Sequence, residues 1–300
     1  VQVRADTFDR RFVIALLALS TLGPASLAGC GGVVSSTAEA AAVSPSTIAL
    51  SPPSPPPTTV PAPVITIPPA ALPPPEPLRI AATPLDVPLV AVGTQDGEET
   101  ERIQQRLLDL GFWLQSVNGD YGVTTSQAVM AFQKYMGLPA TAEVDEATAS
   151  LLTVADMRAN GTATGGTLIE VDKDRQLLFV IRDGMTTWTI NVSTGSGIPF
   201  RERDKTEWGK WIHGDAQTPD GIFLVDRERE KGWPGGDLGD IYRPKFFNGG
   251  IALHGSYEIP NYPASHGCVR MSTAAMDMIW KDDIAPIGMT VWVHSSTPPA

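Results

Sequence analysis

Apolar positions along this chain follow two different periods, in two different places. Between residues 98 and 153 the spacing is helical. Ile103, Leu107 and Leu110 fall at i, i+4 and i+7, predicting one face of a helix that ends at Gly111. A turn cluster, Asn118-Gly119-Asp120-Tyr121-Gly122, follows. A second helix is predicted from about Thr125 to Met136, with Val129, Phe132 and Met136 on its inner face. Thr124 or Thr125 would cap it, and Gly137 and Pro139 would stop it. A third short helix after Asp145 carries Ala149 and Leu152 inward. From about Gly166 the period becomes two. Leu168–Val171 and Leu177–Val180 read as strands joined by the polar turn Asp172-Lys173-Asp174-Arg175. Arg182-Asp183-Gly184 is a hairpin signal before the alternation Trp188, Ile190, Val192. Further strands are predicted at Ile222–Val225, Gly250–His254 and Met289–His294, with one helix over Thr273–Trp280. The fold class is therefore an α+β multidomain chain, in which a small three-helix module precedes a β-rich sandwich or open barrel.

The first hundred residues carry neither period. Arg10 and Arg11 precede a short apolar run, Phe12 to Leu22, broken at Gly23-Pro24. That is the pattern of a secretory signal rather than of a membrane span, which needs about 18 apolar residues. Its end, Leu27-Ala28-Gly29-Cys30, resembles the lipobox of bacterial lipoproteins. In that family the cysteine is acylated and begins the mature chain, which implies a lipid anchor on Cys30 and an extracytoplasmic location at the cell membrane. An ordinary signal peptide with a chance cysteine is the alternative. Of the 27 prolines, 16 lie between Pro45 and Pro88. Proline fixes φ and removes a donor, so residues 31–97 read as a disordered, proline-rich linker. As a semi-rigid spacer, the stretch from Pro45 to Pro88 would reach on the order of 140 Å when extended. The expected organisation is thus 1–30 signal, 31–97 tether, 98–153 helical module and 166–294 β-rich domain.

Charge narrows the function. With 33 acidic against 22 basic residues the net charge is −11, and no cluster of Lys and Arg exists to displace counterions from a phosphate backbone. A nucleic-acid partner is excluded on that ground. Two cysteines, Cys30 and Cys268, are too few for a disulfide framework or a tetrathiolate zinc site.

The candidate chemistry sits at His254-Gly255 and Ser265-His266-Gly267-Cys268-Val269-Arg270. If Cys30 is lipidated, Cys268 is the one remaining thiol. A free thiol is mostly protonated at neutral pH, and a nearby imidazole that takes the proton makes a Cys–His pair suited to acyl transfer. The expectation is a Cys268 thiolate held by His254. His254 ends an apolar strand, and the loop from Ser256 to Ser265 is long enough to fold Cys268 back onto it. Gly267 lets backbone amides approach a developing oxyanion. A zinc peptidase using His213, Asp215, His254 and His266 is an alternative, although no standard ligand spacing supports it. A wall anchor without catalysis is another. The charged runs Arg201–Lys210 and Asp226–Lys231 read as solvated loops, one of which could form a substrate-facing flap.

Two resemblances sharpen this. The string IQQRLLDLGFW, with NGDYGVTTSQAVMAFQKYMGLPATAEVDEATASLL after it, is similar to the peptidoglycan-binding type 1 module, with Asn-Gly-Asp at the turn where Asp-Gly is usual. The resemblance implies binding to cell-wall glycan, a helical spacer without a ligand being the alternative; deleting residues 98–153 is expected to leave turnover of small muropeptides nearly intact while weakening retention on insoluble sacculi. Residues 166–294, with His254-Gly255, Ser265-His266-Gly267-Cys268, Thr218-Pro219-Asp220-Gly221, Tyr242-Arg243-Pro244 and Phe247-Asn248-Gly249-Gly250, resemble the L,D-transpeptidases of the YkuD-like family. That resemblance implies Cys268 as nucleophile, His254 as general acid/base, and the Gly255 carbonyl as the group orienting His254. It also implies an oxyanion hole from the amides of His266, Gly267 and Cys268. Ser265, Arg270, Tyr242 and Tyr257 are the candidate substrate contacts, Arg270 standing where many members have Asn. The implied reaction joins peptidoglycan stem peptides through a cysteinyl thioester, with L,D-carboxypeptidase activity as the alternative when water accepts. No cofactor is called for, and β-lactams of the carbapenem type are implied as covalent inhibitors.

The N-terminal reading has a direct test. Full-length protein should fractionate with membranes, and Cys30→Ala should abolish acylation seen by mass spectrometry. Native mature protein with an acyl-free Cys30 would refute the anchor.

Overall fold

The structure is a computed structural model that describes residues 76–233 and 235–296. Cys30, the signal-like segment and most of the proline-rich stretch lie outside the described residues. Three helices come first: α1 Glu98–Asp109, α2 Val123–Met136 and α3 Glu146–Val154. Ile103, Leu107, Leu110, Val129, Phe132, Ala149 and Leu152 are all buried, as their spacing predicts. Met136 is not, being 37% exposed at the end of its helix. Neither Thr124 nor Thr125 caps α2. Its N-cap is Gly122, and the Thr125 hydroxyl turns back to the Asp120 carbonyl and to Gln104. At the other end Gly137 adopts φ 71°, the left-handed conformation that glycine accepts without strain.

The tether expected to run to residue 97 ends sooner. Leu89 is buried on the helical core, with Ala82, Leu85 and Val92 packed beside it. The Ala82 and Leu85 amides donate to the Asp156 and Thr153 carbonyls. The buried Arg106 guanidinium donates to the carbonyls of Thr83, Leu152 and Ala155. Pro77, Pro84 and Pro88 forbid helix and inner strand, but they do not forbid an extended strap whose remaining polar groups find partners.

The strands are β1 Leu168–Asp172, β2 Leu177–Arg182, β3 Met185–Asn191, β4 Pro199–Arg203, β5 Trp211–Asp215, β6 Gly221–Leu224, β7 Arg227–Glu228, β8 Tyr242–Asn248, β9 Ile251–Ser256, β10 Val269–Ser272 and β11 Thr290–His294. Helix α4, Thr273–Lys281, lies between β10 and β11, with the Ser272 side chain accepting from the Ala275 amide as its cap. A five-stranded sheet runs β3-β2-β1-β11-β6, a four-stranded sheet runs β10-β9-β8-β7, and β4-β5 is a separate hairpin. The hairpin between β2 and β3 turns at Asp183 and Gly184, both at positive φ, as its sequence signal requires. The run Arg201–Lys210, read as a solvated loop, is largely this β4-β5 hairpin. The Arg201 and Arg203 guanidinium groups lie 4.7 and 5.0 Å from the centre of the Trp211 ring on the facing strand.

Strand β2 explains how the parts are joined. Five of its six residues are buried, so it has no solvent face. Leu178 and Val180 point into the core between the two sheets, with Ile169, Val171, Leu253, Val269 and Met271. Leu177, Phe179 and Ile181 point the other way, into one core with Ile103, Leu107, Phe112, Phe132 and Leu152. The back of the five-stranded sheet therefore completes the core of the helical module. Lys134 of α2 reaches across as well, donating to Asn191 Oδ1 at 2.6 Å, and burial pushes its pKa down to about 7. Among the described residues no helix is long and apolar enough to cross a membrane.

Deleting residues 98–153 would thus expose Leu177, Phe179 and Ile181 at roughly 1.5–3 kcal/mol each, comparable in sum with a whole domain's stability. The expected outcome is insoluble or unfolded protein, read by circular dichroism and thermal melting. A folded, soluble catalytic fragment would show the two parts to be energetically independent.

Candidate active site

The parallel pairing of β9 with β10 places the key residues. Leu253 pairs with Val269, and His254 with Arg270. Leu253, Val269 and Met271 face the core, so alternation turns His254, Arg270 and the preceding Cys268 to the opposite face. There Cys268, His254, Arg270, Ser265, His266 and Tyr257 line one cavity of about 680 Å³. Lys205, Arg227 and Arg229 bring further positive charge to it, and Asp237, Asp240 and Glu258 negative charge.

His254 is buried, and its Nδ1 lies 2.8 Å from the Gly255 carbonyl oxygen. A carbonyl only accepts, so Nδ1 carries the proton and Nε2 of the neutral ring is left as an acceptor. Gly255 cannot be replaced cheaply. A Cβ there would sit 2.7 Å from Tyr242 Cδ1 and 3.0 Å from Thr273 Cα. Burial pushes the His254 pKa down to about 4, with the Arg270 charge adding to the effect. Burial likewise raises the Cys268 thiol above its ordinary value, more than Arg270 lowers it. The thiol's hydrogen bond goes to the Gly250 carbonyl at 3.7 Å. Desolvation thus works against the expected Cys268 thiolate and against an imidazolium at His254 alike.

The loop before Cys268 is held from several sides. The Ala264 and Ser265 amides donate to the Thr194 carbonyl, and the Ser196 amide to the Ser265 carbonyl. The Ser265 hydroxyl donates to the Cys268 carbonyl and accepts from the Gly267 amide. This changes two expectations. Ser265 is buried and its hydroxyl is committed to the loop, so it is a clamp rather than a substrate contact. The Gly267 amide is committed too, which takes it out of the oxyanion hole. The amides of His266 and Cys268 make no hydrogen bond among the described residues, so these two donors remain available. Gly267 has φ 131°, and a Cβ on it would lie 2.9 Å from the Gln217 carbonyl oxygen. Only glycine fits there.

Tyr242 is also reassigned. Its hydroxyl donates to Asp277 Oδ1 and its ring packs behind Gly255, outside the cavity lining. Tyr257 does line the cavity, 81% exposed and stacked on Trp233 at 4.9 Å. Arg270 lines it as well, its backbone paired with Ser193.

Two groups escape a reading of the sequence alone. Thr218, in the Thr-Pro-Asp-Gly string, is buried and donates to the Gly267 carbonyl while accepting from the Gly195 amide. Glu202, from the β4-β5 hairpin, accepts from His266 Nε2 at 2.8 Å, while Phe200 meets the same ring edge-on at 4.6 Å. The Thr218 contact was hinted at by its motif. The Glu202 contact spans 64 residues and has no local signal. His213 and Asp215 lie on β5 of the exposed hairpin, and among the described residues no three His, Cys, Asp or Glu side chains are placed to hold a metal ion.

Comparison with known proteins agrees with this arrangement. Residues 166–293 match the L,D-transpeptidase catalytic domain family, and residues 96–152 the peptidoglycan binding domain family of type 1. An L,D-transpeptidase from Xylanimonas cellulosilytica, solved as residues 123–326, is 38% identical, with a TM-score of 0.59 over 71% of this chain and 98% of that one. An L,D-transpeptidase from Stackebrandtia nassauensis is similar at 21% identity and a TM-score of 0.39, over 73% of this chain and 100% of that one. No curated protein matches. A relative this similar over 98% of its own length shows the family, and the chain belongs to the L,D-transpeptidases, with an N-terminal peptidoglycan-binding domain.

Proposed function

We propose that the protein forms cross-links between peptidoglycan stem peptides through a thioester on Cys268. The observation that carries this is the cavity lined by both Cys268 and His254, whose one open ring nitrogen is a proton acceptor. Cys268 Sγ attacks the carbonyl carbon of a stem-peptide bond while its proton passes to His254 Nε2. The tetrahedral oxyanion is stabilised by the His266 and Cys268 amides. As it collapses, the C–N bond breaks and the departing amine takes the proton from His254. An amine of a second stem then attacks the thioester, His254 takes its proton, and the thiolate leaves and is reprotonated. Water in place of that amine gives a carboxylate, the L,D-carboxypeptidase outcome. Since burial disfavours both charged forms, His254 Nε2 takes the thiol proton as Sγ attacks.

Lys205, Arg227, Arg229 and Arg270 suit the cavity to a peptide bearing carboxylates. A carbapenem offers a strained acyl group to the same thiol and should form a stable adduct with Cys268. The lipobox-like Cys30 and the proline-rich stretch after it support an enzyme tethered to the outer face of the cell membrane and reaching into the wall.

Incubation with defined muropeptide tetrapeptides, read by mass spectrometry, tests the reaction. Cross-linked dimers are expected. Release of the terminal amino acid without dimers would make the protein a carboxypeptidase, and no product would end the proposal. Cys268→Ser should lose turnover.

The pH profile follows from the His254 environment. Protonating Nε2 removes the acceptor, and the depressed pKa of about 4 moves that loss to acid. kcat/KM should hold between about pH 5 and 7 and fall only near pH 4, where an unperturbed histidine would already fail near 6.5. His254→Ala should cost at least the roughly 10²–10⁴-fold of general-base catalysis, with partial recovery at alkaline pH. His266→Ala should cost less and show no such recovery. The reverse pattern would give the base role to His266.

Thr218→Val tests the loop support. It leaves the buried Gly267 carbonyl and Gly195 amide without their shared partner, which should cost about 1–3 kcal/mol in stability. It should also lower kcat, since the Gly267 peptide lies between the two free amides. An unchanged melting temperature together with unchanged kcat would show that the loop is held by other contacts.

A further inference from the structure

A second groove, of about 440 Å³, opens where the helical segment meets the catalytic domain. Gln115, Ser116, Asn118 and Thr124 form one wall, Tyr257 and Thr273 the other. It adjoins the catalytic cleft, with Ser256 and Tyr257 lining both. The two differ in chemistry. The cleft carries four Lys or Arg side chains, whereas the groove carries none, and its one carboxylate, Asp120, accepts from Asn118 Nδ2. Hydroxyls and amides dominate the groove, beside an exposed aromatic ring braced by Trp233. That is a surface for a neutral ligand rich in hydroxyl and acetamido groups, with a face of C–H bonds to lay on a ring.

The walls are fixed before any ligand arrives. Buried Gln104 accepts from the Asn118 and Gly119 amides through Oε1 and donates to the Asp120 carbonyl through Nε2. The core shared across β2 then holds this loop against the catalytic domain. A groove with both walls set in advance binds without the entropy of ordering them.

We infer that this groove is a sugar subsite, taking an N-acetylated hexose of the glycan strand whose stem peptide occupies the Cys268 cleft. The inference rests on the proposed peptidoglycan reaction, since a stem peptide in the cleft brings its sugar to the neighbouring surface. The helical segment and the catalytic domain then read one substrate together, sugar on one side of Tyr257 and peptide on the other.

The experiment compares the full chain acting on a free tetrapeptide and on the same tetrapeptide carrying its disaccharide. Wild type should show a KM about tenfold lower for the disaccharide substrate, which corresponds to about 1.4 kcal/mol. Ser116→Trp, which fills the groove, should raise that KM to the free-peptide value while leaving kcat and the free-peptide KM unchanged. Gln115→Ala, a truncation at an exposed position, should do the same in smaller measure. Equal KM values in wild type, or a preference that survives both substitutions, would overturn the subsite and leave the catalytic reading standing. If wild type turns over neither substrate, the catalytic reading fails. Titration of Cys268→Ala with the peptide-free disaccharide, followed by NMR, then decides the groove alone. Shifts at Ser116 and Tyr257 that vanish in Ser116→Trp support it, and no shifts overturn it.

Discussion

Burial of β2 on both faces is the constraint from which most of the architecture follows. A strand with apolar residues at every position from Leu177 to Ile181 needs cover on each side. The second sheet covers one side and the helices cover the other. Because Leu178 and Phe179 are neighbours in sequence but belong to different cores, neither layer can shift without disturbing the strand that both share. The strap of residues 76–97 extends the arrangement by packing on the helical core, with Arg106 satisfying the Thr83 carbonyl. Helices that would be marginal alone become one layer of a three-layer body. The catalytic cleft and the junction groove inherit fixed positions from it.

The same economy of burial sets the chemistry. The apolar side of β9 and β10 anchors the strands, leaving the alternate residues His254, Cys268 and Arg270 in a concave cleft. Desolvation there opposes charge on both the thiol and the imidazole. In the proposed reaction the proton moves during attack, which makes the orientation of His254 decisive. The Gly255 carbonyl supplies that orientation, and the packing of Tyr242 and Thr273 explains why no side chain can stand at Gly255. Around the nucleophile, Ser265 and Thr218 tie both ends of the Gly267 peptide, one at its carbonyl and one at its amide. Two flanking amides are thereby left pointing to no partner among the described residues.

What the sequence determined by itself is whatever depends on neighbours along the chain. The 3.6 and 2 periodicities marked α1 to α3, the β1–β3 meander and α4, because one face of each element must be apolar whatever it packs against. The turn at Asp183-Gly184 and the stop at Gly137 were legible because positive φ selects glycine and its substitutes. The pairing of His254-Gly255 with Ser265-His266-Gly267-Cys268 was legible as a motif, since the chemistry of an acyl-transfer site limits which residues can serve it. Strands β4, β5, β7, β8 and β10 were not: β4 and β5 are exposed, β7 and β10 are short, and Pro244 inside β8 reads against a strand. Tertiary structure alone decided that the helices share a core with the catalytic sheet, since a continuous apolar run such as Leu177–Ile181 does not reveal what lies on each side. It alone decided that Ser265 and the Gly267 amide hold the loop and that Glu202 grips His266. It also decided that burial opposes charge on the Cys–His pair, because desolvation depends on how the fold encloses a group, and no spacing of residues encodes that.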